Sequence, residues 1–117
     1  MLNIKSHLNK TVKKCVENTV FMHIAASYKK LTDINLLKSM KMNEINRLSS
    51  ERIEVQAALE VIETKPTNKL HNNRKPLIER INEIDGEIDE IEQLLANLDI
   101  EKQNIQYEIV LLSQVKS

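Results

Sequence analysis

Residues 76–117 read PLIERINEIDGEIDEIEQLLANLDIEKQNIQYEIVLLSQVKS, and this stretch decides the fold. Stepping from Leu77 by four and three meets Ile81, Ile84, Ile88, Ile91, Leu95, Leu98, Lys102, Ile105, Ile109, Leu112 and Lys116. Only the two lysines interrupt the apolar line. Alternating steps of four and three average 3.5 residues, the period of a left-handed coiled coil rather than of a strand. At 1.5 Å of rise per residue the arm is roughly 60 Å long. A seam of that length has to be buried against another helix.

Working back from Pro76, the pattern stops over 64–75, Thr-Lys-Pro-Thr-Asn-Lys-Leu-His-Asn-Asn-Arg-Lys. Pro66 ends the preceding helix because it lacks an N–H and clashes with the turn before it. Asn72 or Asn73 is suited to cap the next helix, and Pro76 fits its first turn, where a missing donor costs little. The loop is polar, basic and long enough to reverse the chain.

The preceding arm, 32–63, carries Ile34, Ile45, Leu48, Val55, Leu59 and Ile62 at matching spacing, with Lys38, Lys41 and Arg52 at the remaining positions. Leu37, Met40 and Met42 lie beside the line and would replace the lysines if the phase shifted. Residues 1–31 form a basic amphipathic segment in which Leu8, Val12, Val16, Val20 and Ile24 recur every four residues. Thr32 or Asp33 offers a capping residue at which a new helix can begin, or the helix runs through. Folding at the loop pairs residues whose numbers sum to about 139, as in an αα-hairpin, and leaves an N-terminal overhang. The reading is a single all-α domain: a long antiparallel two-helix coiled-coil hairpin with an additional amphipathic N-terminal helical segment.

Composition agrees. The chain has 117 residues with one glycine, two prolines, no tryptophan and one cysteine, and 29% of it is charged. Long helices in narrow contact suit that inventory better than a compact core does. A lone thiol, Cys15, argues against a disulfide framework. The opening MLNIKSHLNKTVKK lacks the apolar core of a signal peptide, and no run is long enough for a membrane span. A cytoplasmic location is expected. Net charge is zero but polarised: residues 1–42 carry eight lysines against Glu17 and Asp33, whereas 76–117 carry ten acids against Arg80, Lys102 and Lys116.

Catalytic or cofactor chemistry has no visible support. A single glycine excludes phosphate-cradling loops, and His7, His23 and His71 are too scattered for a metal-ligand spacing. No catalytic residue, cofactor or metal is expected. The carboxylates Glu83, Asp85, Glu87, Asp89, Glu90 and Glu92 line an exposed face, as solvation or as an acidic docking strip. The lysines near the start could neutralise phosphates. The absence of arginine among them and the acidic second arm both argue against nucleic acid, which leaves a basic DNA-binding accessory protein as the weakest of three readings.

Two places along the chain carry a resemblance. Lys13-Lys14-Cys15 precedes the mixed apolar stretch Val20–Tyr28, and Arg74-Lys75 leads into heptads running through Arg80-Ile81 to Glu101-Lys102. In these and in its two-helix plan the chain resembles the central-stalk proteins of type III secretion and flagellar export ATPases. The resemblance implies that the paired terminal ends enter a hexameric ATPase while the loop end reaches the export gate or secretion chaperones. It implies partner contacts at Lys5, Lys10, Lys13 and Lys14 on the terminal end, and at Lys69, His71, Arg74 and Lys75 on the tip. The alternative is an oligomeric helical scaffold or adaptor of phage or viral type. Ile100, Tyr107, Val110, Leu111 and Val115 speak for it, because they widen the last turns beyond a two-helix seam and call for residues 1–21 or another chain as cover.

Overall fold

A computed structural model describes the backbone of residues 2–64 and 73–116, with side chains described for Lys10, 12–64 and 73–115. Two helices account for nearly all of it: α1, Leu2–Thr64, and α2, Arg74–Lys116. No strand occurs among the described residues. The chain is an all-α helical hairpin. α1 stops two residues before Pro66, and Asn73 is a turn residue directly before α2, so that Pro76 occupies the first helical turn.

The 4-3 line of α2 is its contact face. From Leu77 to Leu112 every position on the line is buried or half-buried, Lys102 included. The α1 line is likewise continuous: Val20, Ile24, Ser27, Leu31, Ile34, Lys38, Lys41, Ile45, Leu48, Arg52, Val55, Leu59 and Ile62 are all buried or half-buried. Lys38, Lys41 and Arg52 therefore keep their seam positions, and the phase shift that would bring in Met40 and Met42 does not occur, since both are exposed. Long aliphatic stems let such residues cover a seam while their charged ends reach water.

Of the two courses open at Thr32–Asp33, the helix takes the continuous one, while the reading of the first segment as one stripe is corrected. Thr32 turns its hydroxyl back to the Tyr28 carbonyl, 3.1 Å away, a bond made within a continuing helix. The stripe at every fourth residue is not one face. Four residues overshoot a turn of 3.6 by about 40°, so the line slides around the helix. Val20 and Ile24 lie in the seam, whereas Val12 and Val16 have rotated out of it and are exposed.

The chain divides into two compact units, one of Met1–Leu36 with Leu98–Ser117 and one of Leu37–Asn97. In the first, Ile34, Leu98, Ile105 and Ile109 form a buried cluster with Leu31 against it. In the second, Leu48, Ile84 and Ile91 form the cluster, flanked by Ile45, Ile88 and Leu95. Leu48 and Ile84 are fully enclosed, at 0% exposure. Each unit thus buries a narrow apolar line from both helices, which is the hydrophobic contribution that holds a hairpin with so few aromatic residues.

Candidate interaction surface

Within the loop-end unit the helices are pinned by two arginines on opposite arms. Arg52 donates from Nε to Asp85 Oδ1 at 2.7 Å and from Nη2 to Oδ2 at 3.4 Å. Arg80 donates to both carboxylate oxygens of Glu51, at 2.8 and 2.9 Å, and to Glu83 at 3.1 Å, with Glu87 at 3.8 Å. A planar guanidinium matches a carboxylate on two bonds at once, so such pairs define orientation as well as attraction. The hydrogen bond from Arg80 holds the Glu51 carboxyl below its usual range, and the bond from Arg52 does the same for Asp85. Both guanidiniums are correspondingly harder to deprotonate.

Arg74 lies 3.8 Å from Glu63 across the turn. The numbers of this pair and of Arg52–Asp85 share one sum, close to that expected for the hairpin. Arms that rise in number on one side as they fall on the other are antiparallel. The expected acidic docking strip is partly consumed by these contacts, because Glu83, Asp85 and Glu87 face the arginines.

At the tip, Arg74 and Lys75 are exposed, whereas Lys69 and His71 lie outside the described residues. Beside Arg74 an open apolar hollow of ≈ 520 Å³ is lined by Ala58, Val61, Ile62, Asn73, Pro76 and Leu77.

The terminal-end unit presents a different surface. Lys10, Lys13 and Lys14 are exposed on α1 together with Val12 (61%) and Val16 (49%), and Cys15 is a free, exposed thiol. Lys5 belongs to the helical backbone, but its side chain lies outside the described residues. His23 is exposed. On α2, Ile100, Tyr107, Val110, Leu111 and Val115 are all exposed, Tyr107 at 66%. Ile100 and Tyr107 are one heptad apart, on the side of α2 opposite the seam residues Leu98, Ile105 and Ile109, and the other three flank them. Residues 12–19 of the same unit are exposed as well, so they do not cover this face. It is apolar, ordered in a stripe, and open.

Sequence reasoning missed Ser27, which is 4% exposed and occupies the seam between Ile24 and Leu31. A search for apolar residues skips it, although counting seven residues back from Ile34 arrives there. Among the described residues no cluster of His, Cys, Asp or Glu is arranged to hold a metal ion, and no helix is long and apolar enough to cross a membrane. No family model, curated protein or solved structure matches this chain.

Proposed function

We propose that this protein is a non-enzymatic, cytoplasmic coiled-coil interaction protein that engages protein partners through its terminal-end unit. One observation carries the reading: that unit exposes an ordered apolar stripe, from Ile100 to Val115, and, further along α1, the exposed lysines Lys10, Lys13 and Lys14. Monomeric proteins seldom leave such a stripe in water without a partner for it.

The specific partner implied by the resemblance is a hexameric export ATPase, with the terminal end as its central stalk. Lys5, Lys10, Lys13 and Lys14 would then meet the ATPase, and Lys69, His71, Arg74 and Lys75 the export gate or chaperones. The test is hydrolysis by a purified export ATPase hexamer with and without the chain. Stimulation that disappears in Lys10→Glu/Lys13→Glu/Lys14→Glu supports the stalk. An ATPase that neither binds the chain nor changes its rate sinks it. The second reading is an oligomeric scaffold, favoured by the width of the α2 stripe, and self-association without ATPase binding selects it.

A further inference from the structure

The longest break in the apolar run of the α1 seam lies between Ile34 and Ile45. Two consecutive seam positions there are Lys38 and Lys41, both half-buried. Lys41 turns its amine to Glu44 of its own helix, 3.2 Å away, rather than across the seam. One lysine at a seam position already costs a coiled coil stability, and here two follow each other. The buried clusters respect the break. Ile34 packs with Leu98, Ile105 and Ile109, Leu48 packs with Ile84 and Ile91, and the two clusters share no residue. The boundary of the compact units, after Leu36, also falls just ahead of Lys38.

The two units are held unequally. The loop-end unit encloses Leu48 and Ile84 at 0% exposure. Its arms are joined by Arg52–Asp85, Arg80–Glu51 and Arg74–Glu63. It also contains the turn, so its contacts close shorter loops and cost less chain entropy. In the terminal-end unit Val20, Ile34, Leu98, Ile105 and Ile109 each keep 6–8% exposure. The seam of that unit also holds the buried hydroxyl residue Ser27 and the half-buried Lys102.

We propose that the terminal-end unit opens as one cooperative body while the loop-end hairpin stays folded, and that Lys38 and Lys41 limit how far the opening spreads. Opening frees Leu98, Ile105 and Ile109 on a segment of α2 that already exposes Ile100, Tyr107 and Val110. In the open form that segment is apolar on two faces, the pattern of a helix enclosed by neighbours. Elements that bind and switch are drawn from such low-stability regions. The opening is a property of the chain alone, so it stands apart from any partner of the terminal end.

The experiment is amide hydrogen exchange of the full-length chain, read residue by residue by NMR as urea is raised below the unfolding transition. Amides of residues 24–34 and 98–109 are expected to share one opening, with one urea dependence. Amides of residues 48–59 and 81–91 are expected to exchange at least about tenfold more slowly and with a steeper urea dependence, because their opening exposes more surface. Lys38→Leu/Lys41→Leu lets the apolar seam run on, so the terminal-end amides should slow until the gap closes. Lys41→Leu alone, which adds less apolar surface, should narrow it. One opening shared by all seam amides of the wild-type chain overturns the proposal. Exchange that changes evenly along each helix overturns it too, because that is fraying and not the opening of a unit. A gap that survives both leucine variants overturns the part given to the lysines.

Discussion

Cutting Leu48 to alanine is the most direct probe of the seam. Its side chain is completely enclosed, in one cluster with Ile84 and Ile91 and against Ile45, Ile88 and Leu95. Three carbons leave the interior, worth about 2.4 kcal/mol at ~0.8 per buried CH₂. The remaining hole adds a cavity cost, which places core Leu→Ala changes at about 2–5 kcal/mol. A core only two helices wide can close around a void better than a globular interior can. Alanine also regains a few tenths of a kcal/mol in helix propensity. The expected loss is therefore about 2–3 kcal/mol, a large share of the stability of so small a domain. The assay is urea unfolding followed by circular dichroism, with Ile53→Ala as control. Ile53 is 71% exposed, and its truncation should cost less than about 0.5 kcal/mol. The combined Leu48→Ala/Ile84→Ala change should cost less than the sum of the single ones, because one cavity is shared. Equal losses for Leu48→Ala and Ile53→Ala would refute the seam.

Two further outcomes follow from the loop-end unit. Glu51 and Asp85 have carboxyls held below their usual values of 4.5 and 3.8. Their contribution is therefore fully present above those values and is lost as pH falls through the lowered ones. Melting temperature should drop on acidification toward pH 3, and the drop should shrink in Glu51→Gln/Asp85→Asn; an unchanged drop would show that these pairs carry no pH dependence. Gly86 sits inside α2 with nothing within 4 Å of where a Cβ would stand, so Gly86→Ala should stabilise the chain by about 0.5–1 kcal/mol in urea unfolding. A loss of stability there would mean that the glycine serves a bend or a contact.

How much of this was legible beforehand depended on whether the signal was local. The heptads of α2, the placement of Pro76 and the antiparallel pairing follow from spacing along the sequence, and they could be read directly, whereas Pro66 lies outside the described residues. Lys102, Lys38, Lys41 and Arg52 were also placed by spacing alone. The line through residues 12–24 misled because steps of four suggest one face while drifting around the helix. Ser27 was passed over because its chemistry is polar although its position is not. Arg52 was legible as a seam residue and Asp85 as part of an acidic run, but not as partners. That pairing depends on which residues come level across the turn.

The sequence by itself determined the helical class, the two arms, the turn and the face each arm buries, because a 3.5-residue period is set within each helix. Tertiary structure alone decided that α1 runs unbroken through Thr32–Asp33 and that Arg80 and Arg52 engage Glu51 and Asp85. It also decided that the stripe from Ile100 to Val115 stays uncovered by residues 12–19. These outcomes depend on where the ends of two helices fall relative to one another. A periodic pattern looks the same at every repeat, so it carries no such information.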